Sequence, residues 1–91
     1  MSENLSRSAN ITNQRGLHAR AAAKFVKLAE QFDAEVSVSH KGQEVSGSSI
    51  MGLMMLAAGM GSRIEMRAKG AQAENALNAL VQLVEDKFHE E

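Results

Sequence analysis

Residues 5 to 32, LSRSANITNQRGLHARAAAKFVKLAEQF, change their apolar period part-way along, and that change decides the architecture. Leu5, Ala9 and Ile11 share one face of an extended segment, with Ser6, Ser8, Asn10 and Thr12 on the other, which is the alternation of a half-buried strand. Gln14 to Gly16 breaks that pattern. From Ala19 onward Ala22, Phe25, Val26, Ala29 and Phe32 recur at three- and four-residue spacing, the apolar stripe of a helix, while Arg20, Lys24 and Lys27 fall on another face.

The same two periods continue to the end. Ala34, Val36 and Val38 alternate with Glu35, Ser37 and Ser39, and HKGQE at 40–44 follows as a turn, so a hairpin into Glu44 to Ser46 is expected. GSSIMGLMMLAAG at 47–59 reads as a glycine, a serine cap and a short apolar helix ending at Gly59, weakened by Gly52. Ile64, Met66 and Ala68 alternate with Arg63, Glu65 and Arg67 as a further strand closed by Lys69 and Gly70. Ala73, Ala76, Leu77, Leu80, Leu83, Val84 and Phe88 then keep helical spacing, with Glu74, Gln82, Glu85 and Lys87 outward. The predicted order is βαββαβα, an α+β fold in which a four-stranded antiparallel sheet is covered on one face by three helices. The other face, rich in Ser, Arg and Glu, meets water.

Length and composition narrow the function classes. A chain of 91 residues is expected to form one domain over 1–91, with an acidic tail at about 89–91. Its 44% hydrophobic and 23% charged residues are those of a folded domain. The absence of cysteine excludes disulfides and thiolate metal sites, and fits a reducing compartment, so a cytoplasmic location is expected. No apolar run approaches the roughly 20 residues of a membrane span. A net charge of -1, with three Phe and no Tyr or Trp, argues against nucleic-acid binding. A monomer without cofactor is expected.

His18 opens the first helix. The first N–H groups of a helix lack partners, and the aligned peptide dipoles favour anions there. The Arg20 guanidinium adds donors for phosphate or carboxylate oxygens. An imidazole is a competent nucleophile near neutral pH, so a phosphoryl group could ride on it, held loosely enough to move on. The plainer alternative is a surface histidine beside a helix start. His40, at a predicted turn, and His89, in a frayed acidic tail, read as solvated surface, and the three histidines lack the spacing of a metal motif.

A second group is SSIMGLMML at 48–56. Leu53 and Leu56 suit the core, whereas Ile50, Met51 and Met54 suit either core or an apolar docking face. Phosphorylation of a capping serine would set negative charge beside that face and repel an acidic partner.

These residues resemble the histidine-containing phosphocarrier proteins (HPr) of the bacterial phosphoenolpyruvate-dependent sugar phosphotransferase system. The resemblance covers about Leu5 to Phe88 and rests on GLHAR at 16–20, SSIMGLMML at 48–56 and GMGSRIEMRAKG at 59–70, in the family's order. It implies an HPr-like open-faced β-sandwich. It also implies a carrier, not an enzyme, in which His18 takes phosphate on Nδ1 from Enzyme I and passes it to IIA proteins, with Arg20 stabilising the charge. Ser49 matches the serine phosphorylated in some members by HPr kinase/phosphorylase. Lys24 and Lys27 with Ile50, Met51 and Met54 are expected to form the docking surface. Ala21 departs from the proline of many members, losing a fixed φ and restoring an N–H. The alternative is a regulatory paralogue, of nitrogen-type or carbon-catabolite signalling, acting mainly through protein binding.

Overall fold

The computed structural model describes residues 4–90. Its elements are β1 (Asn4–Asn10), α1 (Ala19–Ala29), β2 (Glu35–His40), β3 (Gln43–Ser46), α2 (Ile50–Met55), β4 (Arg63–Lys69) and α3 (Ala73–Glu85), followed by a 3₁₀ turn at Lys87–His89. The strands form one open sheet in the order β1-β4-β2-β3, every neighbouring pair antiparallel. Among the described residues no helix is long and apolar enough to cross a membrane.

Register explains the two faces. Leu5 pairs with Ala68, Ala9 with Ile64, and Val36 and Val38 with Ala68 and Met66. Because side chains alternate across a strand, these apolar residues all face the helices. One residue along, the rows Ser6–Arg67–Ser37 and Ser8–Glu65–Ser39 form the open, polar face. Phe25, Leu53, Leu77, Leu80, Val84 and Phe88 close over the apolar face and are fully buried with Ile64 and Met66. Each such side chain contributes about 1.5–3 kcal/mol.

The structure corrects three expectations. His40 is not a solvated turn residue. The hairpin turn is only Lys41 and Gly42, with φ of 51° and 82°, the two positive values of a type I′ turn. The strand therefore runs through His40, and period two carries that ring inward behind Val36 and Val38, where Nδ1–H donates to the Leu56 carbonyl at 3.1 Å. α2 stops at Met55, short of Gly59, with Ala57 left-handed at φ 53°. The last helix ends at Glu85 instead of reaching Phe88, because Lys87, Phe88 and His89 all take left-handed backbone at φ 58°, 55° and 59°. Phe88 is still buried, but by a turn that doubles the chain back. Of the expected acidic tail, Glu90 is folded against the protein, and Glu91 lies outside the described residues.

Candidate functional site

A closely packed, hydrogen-bonded loop delivers His18 to the start of α1. Gly16 takes φ +65° and lies so close to the end of the α2 segment that a Cβ there would sit 2.6 Å from the Ala58 carbonyl oxygen and 2.7 Å from Gly59 Cα. Only glycine fits both the conformation and the space. The Leu17 N–H donates to the Ala58 carbonyl at 2.9 Å, and the buried Asn13 donates from Nδ2 to the Gly16 carbonyl at 2.9 Å.

His18 is the N-cap of α1, with extended backbone and its carbonyl accepting the first helical bond, from Ala22 N–H at 2.8 Å. Its Nδ1 accepts from the Arg20 backbone N–H at 3.3 Å. The ring thus replaces the usual Ser or Asp oxygen of an N-cap, with Nδ1 facing the positive end of the helix. Its side chain is 16% exposed, so the ring is oriented yet reachable.

The other nitrogen, Nε2, meets the Glu90 carboxylate. Asn13 Nδ2 donates to Glu90 Oε1 at 2.9 Å, and the turn that carries Glu90 is held by Lys24 Nζ, which donates to the Phe88 carbonyl at 2.6 Å, and by the buried Phe88 ring two residues before it. Although loss of water pushes the Glu90 carboxyl up, the hydrogen bonds from His18 and Asn13 and the charges of His18 and Lys24 outweigh it and hold it below its ordinary value of 4.5. Gln14, Arg15, Arg20, Lys24, His89 and Glu90 line a cavity of about 330 Å³ beside this pair. Arg15, Arg20 and Lys24 give this cavity beside the helix start a cationic lining, which suits an anion of phosphate size.

Of the residues expected from sequence, the structure places His18 and Arg20 together. Lys24 points to the C-terminal turn, while Lys27 stays exposed on α1. Ser49 is the N-cap of α2, its Oγ accepting from the Gly52 N–H at 2.9 Å. Ile50, Met51 and Met54 are exposed, Met51 by 70%, and Met55 and Met60 join them at 65% and 62%. Five large apolar side chains thus stand exposed on and just after one short helix. Sequence reasoning missed Met55, Met60, Asn13 and Glu90. For Glu90 the one available signal was Phe88, an apolar residue among charges whose burial draws its neighbours inward.

The family model described as the PTS HPr component phosphorylation site matches residues 5–86. The chain is 44% identical over 86 residues to the phosphocarrier protein HPr of Cupriavidus necator, covering 94% of this chain and 97% of that one. It is 45% identical over 86 residues to the phosphocarrier protein NPr of Shewanella violacea, covering 94% of each. The crystal structure of HPr-C-His from Thermoanaerobacter tengcongensis superposes with a TM-score of 0.90 at 40% identity, covering 96% of this chain and 98% of that one.

Proposed function

The chain belongs to the HPr family of phosphotransferase-system phosphocarriers, and from that premise we propose that His18 accepts a phosphoryl group on Nδ1 from phosphorylated Enzyme I and hands it to IIA proteins. One observation carries the reading: the Nδ1 lone pair faces the Arg20 amide at the helix start, beside the groove that holds Arg15, Arg20 and Lys24. The Nδ1 pair forms the new bond to phosphorus while the electrons of the donor's bond stay with the donor. The amide and guanidinium donors then meet the phosphoryl oxygens where charge accumulates, the main lever protein groups have in such transfers. A loose cradle suits a carrier, because a group bound too firmly would not move on.

The methionine face beside this site supplies the encounter surface. Met51, Met54, Met55 and Met60 adapt to different partners, and Arg20 and Lys27 speed the approach of acidic ones. Ser49, in the family's regulatory position, is the proposed target of HPr kinase/phosphorylase, and charge added there would slow acceptance from Enzyme I. The 45% identity to a protein named NPr supports a second reading, in which the same carrier chemistry serves regulation more than uptake.

The reading is tested by incubating the protein with phosphoenolpyruvate and Enzyme I and weighing it intact. One acid-labile phosphate is expected, absent from His18→Ala and retained in His40→Asn. Phosphate retained in folded His18→Ala would refute it.

A further inference from the structure

We infer that Glu90 is a positioning residue for phosphoryl transfer, its carboxylate holding the proton on His18 Nε2 so that Nδ1 is the nucleophile and the ring departs uncharged. The inference rests on the reading of His18 as the phosphoryl acceptor.

The hydrogen bonds assign the tautomer. Nδ1 receives the Arg20 N–H, so it presents a lone pair, and the proton of the neutral ring belongs on Nε2, where Glu90 Oε2 accepts it. The carboxylate is itself oriented. Its second oxygen is fixed by Asn13, whose Nδ2 is anchored in turn on the Gly16 carbonyl of the loop that delivers His18. Asn13 is fully buried, so this strut ties the C-terminal turn to the active loop from inside. Lys24 from α1 and the buried Phe88 ring hold the turn in place, and Arg15, Arg20 and His89 are the other charged or titratable groups around the same groove.

Three consecutive left-handed residues make this placement expensive. Each non-glycine residue in that region costs of order 1–3 kcal/mol, so the turn exists because Phe88 burial and the bonds around Glu90 offset it. Those bonds end on the reactive ring. A carboxylate behind an imidazole fixes its rotation and tautomer and meets the positive charge that develops on it.

The balance of the transfer shows what the contact does. When the Nδ1 pair binds phosphorus, the ring becomes a phosphoimidazolium whose positive charge faces Glu90, and the electrons of the donor's broken bond remain on the donor. On delivery the P–N pair returns to the ring. Because Nε2 has kept its proton, the ring leaves as neutral imidazole. Had that proton gone to solvent, the leaving group would be an imidazolate, which departs far less readily.

Glu90→Ala and Glu90→Gln separate this role from a structural one. Proton–nitrogen NMR of the unphosphorylated chain should show a slowly exchanging His18 Nε2–H in the parent and in Glu90→Gln, whose amide oxygen still accepts, and none in Glu90→Ala. The maximal rate of charging by Enzyme I and phosphoenolpyruvate should fall roughly tenfold in Glu90→Ala at unchanged KM, with partial recovery in Glu90→Gln. Equal rates in parent and Glu90→Ala, both carrying phosphate on His18, would overturn the inference and leave the carrier reading intact. No phosphate on His18 even in the parent protein would overturn both.

Discussion

The Lys24 ammonium donates to the Phe88 carbonyl at 2.6 Å, joining the second turn of α1 to the C-terminal turn across 64 residues of sequence. The two partners anchor the chain end in different ways, Phe88 by burying its ring in the core and Lys24 by satisfying a carbonyl that the left-handed turn leaves without a helical donor. Phe88→Ala should therefore destabilise the fold by about 3–5 kcal/mol, read as a lower urea midpoint, and should release Glu90 from His18. A midpoint within about 1 kcal/mol of the parent would mean that the ring is not part of the core.

Acid should weaken the protein through Glu90. Its carboxyl titrates lower in the folded chain than its ordinary value of 4.5, so the unfolded chain binds a proton more readily. The stabilisation is present above the unfolded value and is lost as pH falls through the folded one. Thermal melts from pH 7 down to pH 3 should show a steeper loss in the parent than in Glu90→Gln, and parallel curves would contradict the assignment.

Gly16→Ala tests the loop that carries His18. Left-handed backbone and a Cβ driven toward the Ala58 carbonyl should cost roughly 1–3 kcal/mol and displace the ring from the helix start. Charging by Enzyme I should slow along with the loss of stability. Unchanged values of both would show that the close approach is not needed.

Two substitutions at Ser49 should part company. Ser49→Ala removes the Oγ that caps Gly52 and should cost about 1 kcal/mol while leaving charging nearly intact. Ser49→Asp keeps a capping oxygen yet adds charge beside the methionine face, so it should fold well and accept phosphate more slowly. Equal charging by the two variants would remove Ser49 from the regulatory account.

Much of this was legible in the sequence because two periods carry it. The strand alternation at Leu5 to Ile11 and the stripe from Ala22 to Ala29 reappear as β1 with its following residue and as α1. His18 and Ser49 were legible as caps because capping is local chemistry. The turn at 87–89 was not, since left-handed backbone at lysine, phenylalanine and histidine has no compositional signal and is imposed by the burial of Phe88. His40 was misplaced because a two-residue turn lengthens the strand by residues that look like loop. In α2 nearly every residue is apolar, so although Leu53 and Leu56 were legible as core and are buried, spacing left Met51 and Met54 open between core and surface, and both are exposed. Glu90 reaches His18 across 72 residues, a pairing that only the folded chain creates.

The central claim is that His18 carries phosphate on the nitrogen facing the helix start. Phosphorus–nitrogen coupling in the charged, nitrogen-15-labelled protein reads that nitrogen directly. Coupling to His18 Nδ1, with Nε2 still protonated toward Glu90, is the predicted result; phosphate on Nε2, or on any other residue, would contradict the account.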